Sequence, residues 1–177
     1  MLFPSPYEAA VWAIISARLH PRQALATRER LSREHGVILE VAGAEMAAFP
    51  LPERLLELDA FPGLPDEKLR RLHGVAEAAL AGRLDAEQLR ALPREEALEQ
   101  LRELRGIGPF YATLILLRST GVCDELPTGE PRLRTLVERA YQLAEPPDEA
   151  ELTAIAENWR PYRTWVAALL RMSGTQS

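Results

Sequence analysis

The chain holds a single cysteine, Cys123, in 177 residues. No intramolecular disulfide can form, and neither a cysteine-based zinc site nor a thiolate-held iron–sulfur cluster can be built. Lysine is equally scarce. Lys68 is the only one, and every other basic residue is arginine. The three histidines, His20, His35 and His73, lack metal-ligand spacing. No apolar run is long enough to span a bilayer. The start, Met1-Leu2-Phe3-Pro4-Ser5-Pro6, has neither the basic region nor the apolar stretch of a secretory signal. A cytoplasmic location is therefore expected. Basic excess is missing too: the formal net charge is −5. That argues mildly against a duplex-binding protein, although a site built from backbone dipoles needs no such excess. Arginine suits bidentate phosphate contacts, but codon usage in a GC-rich genome explains its dominance more simply.

What is present is helical. Apolar residues recur at helix spacing, and no segment shows a convincing strand alternation. Tyr7 to Leu19 reads as a helix with Val11, Ile14 and Ile15 inward. Pro21 opens the next, to about Glu34, and Gly36 stops it. Short helices are expected from Pro50 to Leu58 and, capped by Asp85, up to Leu92. A longer one runs from Leu64 to Leu80. Pro93 opens a helix with Leu98, Leu101 and Leu104 on one stripe. Pro109 to Ser119 is apolar enough to be a central buried helix. Pro131 to Leu143, Asp148 to Trp159 and Pro161 to Met172 complete an all-α chain. The expected organisation is two helical lobes, about 1–122 and about 123–177.

The most informative segment is Leu104-Arg105-Gly106-Ile107-Gly108-Pro109-Phe110-Tyr111-Ala112. Gly-x-Gly-Pro between two helical patterns reads as a tight hairpin whose second helix begins at Pro109. Its bare N-terminal amides make an anion site. An ordinary helix–helix turn explains the motif alone equally well. Asp124-x-x-Pro127-x-Gly129-Glu130 and Trp159-Arg160-Pro161-Tyr162-Arg163 follow.

These three blocks, in this order and spacing, resemble the helix-hairpin-helix DNA glycosylase superfamily, with most similarity to its 3-methyladenine DNA glycosylase II branch. The helix around Ala13-Ile14-Ile15, the Phe49-Pro50-x-Pro52 turn and Gly82-Arg83-Leu84-Asp85 agree with it. The resemblance implies a two-lobed helical bundle with a cleft between the lobes. It further implies hydrolytic removal of a damaged, often alkylated, purine from double-stranded DNA. Larger relatives carry an N-terminal β-rich domain and usually a helix ahead of the region matching Tyr7; this chain lacks both, so it reads as a minimal version or a trimmed one, and a monomer is expected.

The resemblance also implies roles for particular residues. Gly106, Ile107 and Gly108 would hold the DNA backbone, with a monovalent cation on the Leu104 and Ile107 carbonyls as a possible aid and no other cofactor or metal. Arg132 and Arg134 are further phosphate candidates. Glu130 stands where relatives carry a catalytic aspartate, one methylene longer; its alternative role is to cap the helix at Pro131. Asp124 is expected to be structural, with Arg163 pairing to it and locking the lobes. Phe110, Tyr111, Leu114, Arg18 and Arg171 are candidates to line the base pocket. Trp12 and Trp165 read as core. An arginine in the pocket would disfavour a cationic base and could hydrogen-bond a neutral oxidised or deaminated one. Bifunctional relatives form a Schiff base through a lysine just after the hairpin; here that place holds Phe110, so a monofunctional enzyme is expected. The alternative is a lesion-binding protein of the same fold with weak or no catalysis.

Overall fold

In a computed structural model, the structure describes residues 3–127 and 131–173. Among them are ten α-helices and one two-stranded sheet. They divide into two compact units, residues 3–120 and 121–173.

The first unit opens with α1 (Pro6–Ser16). The Ser5 side chain accepts the Glu8 amide at 3.2 Å, and Pro6 takes the first helical position. The helix stops at Ser16 rather than running on to Leu19, because Arg18 turns left-handed at φ 58°. Lys68 secures that end: its Nζ donates to the Ile15 carbonyl at 2.7 Å and the Ala17 carbonyl at 2.8 Å. Helix α2 (Pro21–His35) follows, then strands β1 (Ile38–Val41) and β2 (Ala44–Ala47).

This β-hairpin corrects the expectation that no strand is present. The strands pair antiparallel, Glu40 opposite Glu45 and Leu39 opposite Met46, across a two-residue turn with Ala42 at φ 51° and Gly43 at φ 79°. That turn has the geometry favoured for two-residue hairpins. The strands left no alternating signal because neither face is buried: Ile38, Leu39, Val41 and Met46 are all exposed.

Helices α3 (Pro52–Leu56), α4 (Asp66–Leu80), α5 (Ala86–Ala91), α6 (Arg94–Arg102) and α7 (Pro109–Ser119) complete the unit. Its core contains Ile14, Ile15, Leu31, Leu55, Leu72, Leu89, Leu101 and Ile115, all essentially inaccessible. Helix α7 packs on α1 and α6, and Leu98, Leu101 and Leu104 face inward as their spacing predicts. The Tyr7 hydroxyl donates to the Pro50 carbonyl at 3.0 Å, tying the Phe49-Pro50 turn to α1. Burial pushes the Tyr7 phenol above its ordinary pKa.

The second unit holds α8 (Pro131–Tyr141), α9 (Glu149–Glu157) and α10 (Arg163–Ser173) around Leu133, Val137, Leu152, Ala156, Trp159 and Ala167. Asp148 and Glu151 form a reciprocal capping box at the start of α9. The last helix begins at Arg163, not Pro161: Tyr162 donates its amide to the Trp159 carbonyl at 2.7 Å, a turn that precedes it. No helix among the described residues is long and apolar enough to cross a membrane.

The Lys68 clasp predicts a stability cost. Lys68→Met leaves two carbonyls at the end of α1 without their charged donor, for an expected loss of about 1–2 kcal/mol, measured by urea denaturation.

Candidate functional site

The hairpin between α6 and α7 is pinned by two aliphatic side chains. Leu104 and Ile107 are 5% and 4% exposed, while Arg105, Gly106, Gly108 and Pro109 between and beyond them face solvent. The Ile107 amide donates to the Leu104 carbonyl at 2.9 Å and closes the turn. That amide is thus directed inward rather than to a ligand.

The two glycines of the motif do different work. Gly106 has φ 95°, a left-handed conformation that L side chains rarely adopt. The space where its Cβ would stand is already filled by Arg71, whose Cδ would lie 2.8 Å away. Gly108 has φ −88° and is the N-cap of α7, and a Cβ there would meet nothing within 4 Å. The open backbone of the motif is therefore at Gly108. No side chain caps α7, and its first turn carries no acidic residue. The N-terminal partial charge of this eleven-residue helix therefore has no acidic side chain in its first turn to answer it.

Next to this opening, Phe110 is 52% exposed and Tyr111 is half-buried against the core. Their rings meet edge to face, centroids 5.4 Å apart. Leu114, one turn on, is half-buried. Arg18 is exposed on the left-handed turn after α1.

In the second unit, Asp124 is bound by Arg163. Arg163 Nε donates to its Oδ1 at 2.8 Å, and Nη2 reaches the Asp124 carbonyl at 2.6 Å and Oδ2 at 3.2 Å. Arg160 adds an ion pair at 3.1 Å. These bonds, the one from the Arg163 side chain foremost, hold the Asp124 carboxyl below the ordinary aspartate range. Both partners belong to the second unit, so the pair braces that unit internally and is not an interlobe lock.

No protein-family model matches the chain. It is 26% identical over 167 residues to DNA-3-methyladenine glycosylase 1 of Schizosaccharomyces pombe, covering 92% of this chain and 69% of that protein. It is 22% identical over 171 residues to the DNA-3-methyladenine glycosylase of Bacillus subtilis, covering 94% of this chain and 56% of that protein. The chain thus spans little more than half of the second relative. Among solved structures, the S. pombe 3-methyladenine DNA glycosylase in complex with abasic DNA matches with a TM-score of 0.65 and 25% identity, over 94% of this chain and 79% of that one. The chain is thus similar over nearly its whole length to DNA-3-methyladenine glycosylases and shares the fold of a solved one.

Glu130, with Thr128 and Gly129, lies outside the described residues. Arg132 is exposed on α8, whereas Arg134 is half-buried and its Nε donates to the Pro147 carbonyl. Arg171 is half-buried in the last turn of α10. Two residues beside the hairpin escaped the sequence reading. Arg71 lies over Gly106, a contact between distant segments that no local pattern announces. Arg105 was visible inside the motif but carried no spacing signal of its own.

Two predictions follow from these geometries. Gly106→Ala should destabilise by at least about 1–2 kcal/mol, the left-handed penalty, whereas Gly108→Ala should leave the melting temperature unchanged. Asp124→Asn should lower the melting temperature at pH 7, where the wild-type carboxylate is ionised. Because the folded-state pKa is depressed, the wild-type advantage is complete above the ordinary aspartate value and fades as pH falls through the folded one. The two melting curves should converge in acid.

Proposed function

We propose that this chain is a monofunctional DNA glycosylase of the 3-methyladenine DNA glycosylase II type, acting as a monomer in the cytoplasm on double-stranded DNA that contains an alkylated purine. The observation that carries the reading is the unobstructed, uncapped N-terminus of α7 at Gly108. There the Gly108 backbone and the first amides of the helix receive a DNA phosphate next to the lesion. The S. pombe relative, a 3-methyladenine glycosylase crystallised on abasic DNA, supports it.

The damaged nucleotide must leave the stack to react. Phe110 and Tyr111 offer aromatic faces that attract a cationic base, with Leu114 as apolar wall; Arg18 and Arg171, the remaining lining candidates, would work against a cationic base and favour a neutral one that accepts their hydrogen bonds. The C1′–N bond breaks, and the base leaves with the bonding electron pair. The sugar becomes oxocarbenium-like, and water adds at C1′ and loses a proton. Glu130 is assigned to stabilise the sugar cation or to accept that proton. An alkylated purine is already a good leaving group, which suits a carboxylate set one methylene further out. Arg132 adds a phosphate contact, and Asp124 with Arg163 braces the second unit. A monovalent cation would be held by the Leu104 and Ile107 carbonyls, where it would add positive charge beneath the phosphate. The Leu104 oxygen accepts one amide and keeps a second lone pair for this.

Lys68 supports hydrolysis over an imine route. Burial lowers its pKa, but its Nζ is engaged by two backbone carbonyls. The test is base release from methylated, deaminated and oxidised duplexes. Wild type should release alkylated purines, and Glu130→Gln should be slower by on the order of 100-fold. Equal rates would reject the carboxylate assignment, and binding without release would favour the non-catalytic alternative. Borohydride should trap no protein–DNA adduct; a trapped adduct would overturn the monofunctional reading.

A further inference from the structure

Glu67, on α4, stands at the centre of an arginine cluster beside the hairpin. Its Oε2 accepts from Arg70 Nη2 at 2.9 Å and Nε at 3.3 Å, and its Oε1 accepts from Arg71 Nε at 3.0 Å. Arg105 Nη2 stands 3.4 Å from the same Oε1. Three guanidinium groups thus share one carboxylate, and a positive surplus remains. Glu103, close by in sequence, is paired with Arg83 at 3.4 Å and does not join them. Hydrogen bonds from Arg70 and Arg71 hold the Glu67 carboxyl below its ordinary pKa, so it stays ionised. The cluster is attached to the hairpin: Arg71 lies over Gly106, and Arg105 is the residue before it. It is also open to solvent, with the Arg105 side chain 76% exposed and Arg70 63%.

We propose that Arg71 and Arg105 form a second site for a DNA phosphodiester, next to the one at Gly108, and that Glu67 fills it in the free protein as an internal substitute for that phosphate. This rests on the duplex-binding reading given above. A phosphodiester presents two non-bridging oxygens and one negative charge, the pattern a guanidinium fork matches. Exposed ion pairs are weak, so exchanging one oxyanion for another costs little. The exchange also releases counterions from the duplex, which adds a favourable term. Glu67 thereby sets a competitor against every phosphate alike. It weakens the grip on undamaged backbone without touching the base, and so helps the protein leave sites that carry no lesion.

The test is fluorescence anisotropy of labelled undamaged and abasic-analogue duplexes across a salt series, with full-length wild type, R105A, E67Q and G108A. Thermal melts of each variant check folding. Arg105→Ala should weaken binding by on the order of tenfold and reduce the slope of log K against log salt by about 0.9, equally for both duplexes. Glu67→Gln should tighten binding to both by roughly threefold, the opposite sign. If Glu67→Gln weakens binding or leaves it unchanged, or if Arg105→Ala leaves the salt slope intact, the cluster is only a brace for the fold and the proposal fails. Should Glu67→Gln not fold, the Arg105→Ala slope decides alone, since that side chain is exposed. Loss of duplex affinity in G108A with none in R105A would reject the second site and keep the first. A wild type that binds no duplex even at low salt would reject both.

Discussion

Everything on the hairpin face depends on two aliphatic side chains that hold a loop to a core. Leu104 and Ile107 reach into the cluster that also contains Ile14, Leu72, Leu101 and Ile115. Burying each is worth about 1.5–3 kcal/mol, enough to hold the short loop between them in one conformation. With both ends fixed, the chain at Gly106 has to turn left-handed, and Arg71 takes the space a side chain would need. The opening at Gly108 is consequently preformed. A phosphate that docks there meets amides already oriented, and little ordering cost falls on the binding event.

One helix braces two of the loops of the first unit. Residues three and four apart share a helix face, and α4 uses that spacing to put Glu67 in reach of Arg70 and Arg71. The intervening Lys68 reaches the carbonyls that end α1. The same element therefore holds the turn that carries Arg18 and the side chains that flank Gly106.

The all-α architecture was legible because its signals are local. Pro109 and Pro21 open helices at the residue their chemistry predicts, Asp85 and Asp148 cap helices with their own side chains, and the stripe of Leu98, Leu101 and Leu104 faces the core. The misses were non-local. The end of α1 depends on a lysine fifty-odd positions away. The β-hairpin is exposed on both faces, so burial imposed no alternation on it. In the site, the motif located the turn correctly but not the division of labour within it. A glycine in a left-handed turn and a glycine kept open for a ligand look identical as letters. Likewise Arg134 reads as a free cation until the Pro147 carbonyl is seen to take its Nε.

A net charge of −5 and a DNA-facing role are compatible once the acidic residues are placed. Many of them sit at the first turns of helices: Glu8 on α1, Glu53 on α3, Asp66 and Glu67 on α4, Glu87 on α5, Glu95 and Glu96 on α6, Glu149 and Glu151 on α9. Each answers the positive end of its own helix. Helix α7 has no such residue and no capping side chain, so the positive end nearest the hairpin remains uncompensated. Charges elsewhere on the surface are screened beyond about 8 Å at physiological ionic strength. Under the proposed function, a phosphate arriving at Gly108 would respond to the helix end and to the arginines around Gly106, not to the total. Part of the acidic balance of the chain thus describes how its helices are stabilised; α2, α8 and α10 also lack an acidic first turn, and α7 combines that absence with an N-cap, Gly108, that has no capping side chain and open space around it.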